Sequence, residues 1–118
     1  MTTLVLVVED DPVGQAVLSG LLRKRDCVVE VAGDGIEALE KVGATAYAVV
    51  FMDCRMPRMD GYEATAEIRR REGDARRTPV VAVTASEDLA RFLAAGMDAH
   101  MSKPVLPEVL DRTLARWA

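Results

Sequence analysis

The feature that most constrains this chain is a change of hydrophobic period that recurs five times along it. "TLVLVV" (3–8) is a short β-branched run, and behind it "DPVGQAVLSGLLRKR" sets Val13, Val17 and Leu21 at helical intervals. "CVVEVA" (27–32) leads into the helical "DGIEALEKV", and "AVVFMD" (48–53) leads into "GYEATAEIRRR" (61–71). "TPVVAVTA" (78–85) precedes "EDLARFLAAG" (87–96), and the brief "AHMSKP" (99–104) precedes "LPEVLDRTLARW" (106–117). Local chemistry marks the boundaries. Asp11 with Pro12 suits a helix start, as does Asp34-Gly35. Gly43 and Gly96 fall where C-terminal caps belong, and Arg69, Arg70 and Arg71 occupy a last turn, where cations suit the helix dipole.

Strands alternating with helices imply parallel strands joined by crossovers, with helices on both faces. The first, third and fourth strands are nearly pure Val, Leu, Ala and Phe, as strands covered on both sides should be. In such an open sheet, ligands bind outside the carboxyl ends of the strands. The expected fold is therefore α/β, with any functional site along that edge.

Bulk properties narrow the class. At 118 residues the chain is expected to be one domain, spanning 1–118. Half of its residues are hydrophobic and 29% are charged, which suits a folded chain and not disorder. A net charge of −4 suggests neither a nucleic-acid footprint nor a polybasic membrane patch. The longest apolar runs are too short for a membrane span, and no basic leader precedes "EDD", so no secretory signal is expected. Cys27 and Cys54 have neither metal-ligand spacing nor a disulfide framework around them. Reduced thiols and a cytoplasmic location are the expectation.

Polar residues do gather at the strand ends. The first strand closes on Glu9, Asp10 and Asp11, the third on Asp53, the fourth on Thr84-Ala85-Ser86 and the fifth on Ser102-Lys103. A soluble α/β protein leaves any strand through polar loops, so each residue alone has an ordinary explanation. Together they form a set. Carboxylates brought within a few ångströms repel one another, and a hard divalent cation removes that conflict. Mg²⁺, or Mn²⁺, takes oxygen ligands and is commonly held by one or two carboxylates plus a phosphate oxygen. An aspartate can attack a phosphoryl group to form an acyl phosphate, a reaction limited by charge compensation and placement. Asp53 is the nucleophile candidate, with Lys103 and Thr84 aimed at phosphoryl oxygens and small Ala85 leaving room beside them.

In order and spacing, "LVLVVEDDPVGQ", "FMDCRMPRMDGYEA", "VVAVTAS" and "GMDAHMSKPV" resemble the receiver domain of two-component response regulators. The wording is most similar to receivers of hybrid histidine kinases, and the resemblance covers essentially the whole chain. It implies a flavodoxin-like (βα)5 sandwich with a five-stranded parallel sheet in the order 2-1-3-4-5. It implies Asp53 as phosphoacceptor, and Glu9, Asp10, Asp53 and the backbone carbonyl of Arg55 as Mg²⁺ ligands. Thr84 would be the switch hydroxyl and Lys103 the cation paired with phosphate. The Lys103-Pro104 bond would be cis, against an ordinary X-Pro frequency of about 5–6%. The implied partners are a histidine kinase or histidine phosphotransfer protein and an unknown output protein, with neither nucleic acid nor membrane.

The chain departs from that pattern at His100, where the family usually places Tyr or Phe as a rotamer switch coupled to the threonine. His100 is either a partly exposed strand histidine or an imidazole that turns as Thr84 moves. Arg55 and Ser86, each two residues beyond a site residue, are candidate modulators of phosphoryl lifetime; a solvated Arg55 is the plainer alternative. Asp11 reads as a helix cap, Cys54 as a packed thiol, Met56 and Met59 as loop anchors, and Trp117 as core. The Arg69–Arg71 and Arg76–Arg77 runs read as a solvated helix end and loop. The largely apolar "LARFLAAG" is a candidate partner surface, as are the last helix and fifth strand. Two rival functions remain. A haloacid-dehalogenase-type phosphatase would use an aspartyl nucleophile and Mg²⁺, but with a second acid where Arg55 stands. A receiver that serves only as an interaction domain would not bind Mg²⁺. No turnover of a separate substrate is expected.

Overall fold

A computed structural model describes residues 3–85 and 88–118. The elements alternate as β1 (Thr3–Val8), α1 (Pro12–Arg23), β2 (Cys27–Ala32), α2 (Gly35–Ala44), β3 (Val49–Asp53), α3 (Gly61–Glu72), β4 (Val80–Thr84), α4 (Leu89–Ala95), β5 (Ala99–Ser102) and α5 (Pro107–Trp117). All neighbouring strands are parallel, in the order β2-β1-β3-β4-β5. This is the flavodoxin-like arrangement.

The sheet is buried from both sides because its central strands are apolar almost throughout, with Asp53 and Thr84 as the last residues of β3 and β4. Each residue of β3 and β4 is buried, whereas the outer β2 and β5 alternate with half-buried or exposed positions. One face packs Leu6, Val8, Val50, Met52 and Ala82 against α2, α3 and α4 through Leu39, Ile68 and Phe92. The other packs Val5, Val7, Phe51 and Val83 against α1 and α5 through Leu18, Leu22 and Leu110. Trp117 joins this second cluster, and Met56 and Met59 pack against the first.

Side chains set the helix starts. Asp11 accepts from Val13 N and Gly14 N, Asp34 from Glu37 N, and Asp60 forms a reciprocal capping box with Glu63. Gly96 ends α4 in the left-handed region (φ 95°). Gly43 does not end α2: the helix continues through Ala44 and is capped at Thr45. A Cβ at Gly43 would meet nothing within 4 Å, so no steric demand reserves that position for a terminator.

The arginine runs are not simply solvated. Arg69 donates to the carbonyls of Gly96 and Thr78 and to the carboxylates of Glu72 and Asp98. Arg77 pairs with Asp98, and Arg76 donates to the Val42 carbonyl. These contacts bind the end of α3 to the strand-entry edge of the sheet, opposite the carboxyl ends. Arg70 and Arg71 remain on the surface, paired with Glu67.

Candidate functional site

Parallel pairing brings the carboxyl ends of all five strands to one edge, and the loops leaving that edge carry the polar residues. Glu9 follows β1, Asp53 ends β3, Thr84 ends β4 and Lys103 follows β5. Glu9, Asp53 and Thr84 are buried, whereas Asp10 is exposed. Gly14, on the first turn of α1, leaves room for Glu9, whose carboxyl carbon would lie 3.1 Å from an added Cβ.

The Lys103 ammonium stands between two acids, 2.9 Å from Glu9 Oε2 and 3.4 Å from Asp53 Oδ2. Asp11 N donates to Glu9 Oε1, and Arg55 N donates to Asp53 Oδ1 at 3.2 Å. Burial pushes Glu9 upward; the Lys103 hydrogen bond pulls the other way, and the Asp53 carboxylate adds to the rise. Burial alone would lower Lys103, but its bond to Glu9 and the charges of Asp53 and Glu9 raise it, so the lysine is a cation here. The Lys103-Pro104 bond is cis.

Glu9, Asp10 and Asp53 each offer a carboxylate oxygen, and these oxygens lie within 4.8 Å of one another. Three hard oxygen donors facing a shared space fit a divalent cation such as Mg²⁺. Beside them lies a cavity of about 380 Å³ lined by Asp53, Arg55, Thr84, Ala85 and Lys103. It brings acid, hydroxyl and cation to one volume.

A family model described as the response regulator receiver domain matches residues 5–115. The chain belongs to that family. The receiver is a signalling domain of two-component systems. It is 42% identical over 119 residues to "Probable histidine kinase 2" of Oryza sativa subsp. indica, covering 86% of this chain and 11% of the kinase. The chain spans only 6% to 12% of the length of the first relatives it matches. It also resembles the receiver domain of sensor histidine kinase PA1611 from Pseudomonas aeruginosa PAO1. That likeness has a TM-score of 0.89 and 39% identity, covering 99% of this chain and 98% of that one. The PA1611 receiver has a magnesium ion coordinated in its active site cleft. A third likeness (TM-score 0.89, 31% identity, 98% and 88% covered) is to the Saccharomyces cerevisiae co-crystal of the histidine phosphotransfer signaling protein Ypd1 with the receiver domain of Ssk1.

Not every residue expected at the receiver's site joins this cavity. His100 lies on β5, exposed and stacked on Phe92 with ring centroids 5.1 Å apart. Ser86 lies outside the described residues. Arg55 lines the cavity with an exposed side chain. Cys54 is buried, and burial pushes its thiol upward, so it is a packed thiol and not a thiolate nucleophile. Two supports escaped the sequence reading. Gln15 donates its side-chain amide to the Glu9 carbonyl, and Arg58, at positive φ, pairs with Asp34 to tie the β2–α2 and β3–α3 loops together. An arginine in a Pro-Arg-Met-Asp turn gives no sign of such a partner; the Asp60-x-x-Glu63 capping signature did lie open to reading.

Proposed function

We propose that this chain is a phosphoacceptor switch in which Asp53 takes a phosphoryl group from a phosphohistidine on a histidine kinase or histidine phosphotransfer protein. The observation that carries the reading is the placement of Lys103 Nζ 3.4 Å from Asp53 Oδ2, with the Glu9 and Asp10 carboxylates close by. A carboxylate oxygen of Asp53 attacks phosphorus; the O–P bond forms as the P–N bond breaks, and the imidazole leaves with the electron pair. Lys103 meets the charge of one phosphoryl oxygen and the Thr84 hydroxyl donates to another. Glu9, Asp10, Asp53 and the Arg55 carbonyl would hold Mg²⁺, or Mn²⁺, which when bound supplies further charge neutralisation at the phosphoryl group.

Once formed, the aspartyl phosphate draws Thr84 and Lys103 towards it and shifts an equilibrium of the β4–β5 face that an output protein reads. Arg55 and Ser86 set the lifetime of that state, and His100 turns with Thr84. No second acid stands two residues beyond Asp53, where Arg55 sits, so leaving-group protonation of the phosphatase kind has no donor there. The domain therefore turns over no separate substrate, and it works in the cytoplasm alongside phosphohistidine donors.

Intact-mass measurement after incubation with acetyl phosphate and Mg²⁺ tests the reading. The wild type is expected to gain one phosphoryl group and Asp53→Asn none. Equal uptake by both proteins, or uptake by neither, overturns it.

A further inference from the structure

Beyond the phosphoryl cavity, a second cavity of about 330 Å³ opens towards α4. It shares Arg55 and Thr84 with the first and adds Cys54, Tyr62 and Arg91. Cys54, Thr84 and Tyr62 line this cavity together, and hydrogen bonding with Tyr62 and Thr84 works on the Cys54 thiol against the upward push of burial. From Tyr62 the contacts run on without a gap. The Arg91 guanidinium carbon lies 4.0 Å from the Tyr62 ring centroid. That ring stacks on Phe92 at 5.9 Å, and Phe92 stacks on His100 at 5.1 Å. Phe92 is 1% exposed, so the middle ring is fixed by packing, while Tyr62 is half-buried with cavity beside it.

Resting on the reading of Asp53 as phosphoacceptor, we propose that Cys54 and Tyr62 are positioning residues that carry a displacement of Thr84 to α4. A phosphoryl group on Asp53 sets new acceptor oxygens near Thr84, and a hydroxyl that turns to them withdraws from Cys54. A thiol is a weak donor and a weak acceptor, so it gives up that contact at little cost and reorients towards Tyr62. Burial and the Cys54 contact push Tyr62 up to about 12, so its hydroxyl remains a donor at neutral pH. The Tyr62 ring has open volume on one side, Arg91 over its face and buried Phe92 stacked against it. Its reorientation is therefore felt on α4, the helix that exposes Leu89 and Leu93. This route reaches α4 through α3, and does not require the β5 side chain to turn first.

Selective ¹³C labelling of tyrosine rings tests the relay, with the Tyr62 signal assigned as the one absent from Tyr62→Phe. Mg²⁺ and beryllofluoride serve as the phosphoryl mimic, and uptake from acetyl phosphate is measured by mass in parallel. The Tyr62 signal is expected to shift in the wild type, to lose more than half of that shift in Cys54→Ala, and to regain it in Cys54→Ser, with uptake unchanged in all three. A Tyr62 signal that stays put in a wild type that takes up phosphoryl, or that shifts equally in Cys54→Ala, overturns the relay. A wild type that takes up no phosphoryl group overturns the phosphoacceptor reading, and the relay falls with it.

Discussion

Lys103 Nζ sits 2.9 Å from Glu9 Oε2 and 3.4 Å from Asp53 Oδ2, so one ammonium group compensates two buried carboxylates that come from different strands. Removing it exposes each acid to the other's charge. In metal-free buffer, Lys103→Met is expected to lower unfolding stability by about 1 kcal/mol, a small figure because the ammonium is partly exposed. Saturating Mg²⁺ should then stabilise the variant more than the wild type, since the ion no longer competes with a resident cation. Denaturant unfolding of both proteins with and without Mg²⁺ checks this; an equal Mg²⁺ increment in the two would contradict it.

Gly61 and Gly43 make opposite demands. A Cβ at Gly61 would lie 2.1 Å from the Asp53 carbonyl oxygen, and Gly61 N donates to the Cys54 carbonyl at 3.1 Å. Gly61→Ala must push the backbone of Asp53 aside, at a cost of about 1–3 kcal/mol or more, and should also impair phosphoryl uptake. Gly43 lies inside α2 with open space around it, so Gly43→Ala is expected to stabilise by about 0.5–1 kcal/mol through helix propensity. Thermal unfolding of the pair, combined with phosphoryl uptake, reads both effects.

Glu72 links stability to pH. Thr78 donates to Glu72 Oε2 through its amide at 2.9 Å and its hydroxyl at 2.5 Å, and Arg69 Nη1 donates to Oε1 at 2.9 Å. Burial pushes the carboxyl up, but these donors outweigh it and hold Glu72 below its ordinary 4.5. The folded state thus binds the proton more weakly than the unfolded chain. The stabilisation is full above the ordinary value and fades as pH falls through the lower folded one. Glu72→Gln is expected to cost about 1–3 kcal/mol at neutral pH, and its gap to the wild type should narrow in acid. A gap constant from neutrality into strong acid would contradict this account.

The architecture and the core of the site could be read from the sequence for one reason. Burial on both faces makes β3 and β4 apolar up to their last residue, so an acid or hydroxyl there stands out. Asp53 and Thr84 were visible on that ground, and Glu9, Asp10 and Lys103 by the same logic at β1 and β5. What stayed hidden depends on contacts between distant segments. Arg69 looked like a solvated helix end because its partners Gly96 and Asp98 lie 27 and 29 residues further along. Gly43 resembled a cap, yet α2 runs on through Ala44 and closes at Thr45, whose amide donates to the Lys41 carbonyl. The stack of Tyr62, Phe92 and His100 joins α3, α4 and β5, and no local period places those three rings together.

The central claim is that Asp53 is where the phosphoryl group lands. Phosphorylation by acetyl phosphate with Mg²⁺, followed by borohydride reduction and peptide mass mapping, tests it at single-residue level. An acyl phosphate on Asp53 should be reduced to homoserine at position 53, with Glu9, Asp10 and all other acids unaltered and no product when Mg²⁺ is chelated. Homoserine at a different position, or full labelling without any divalent ion, would contradict the account.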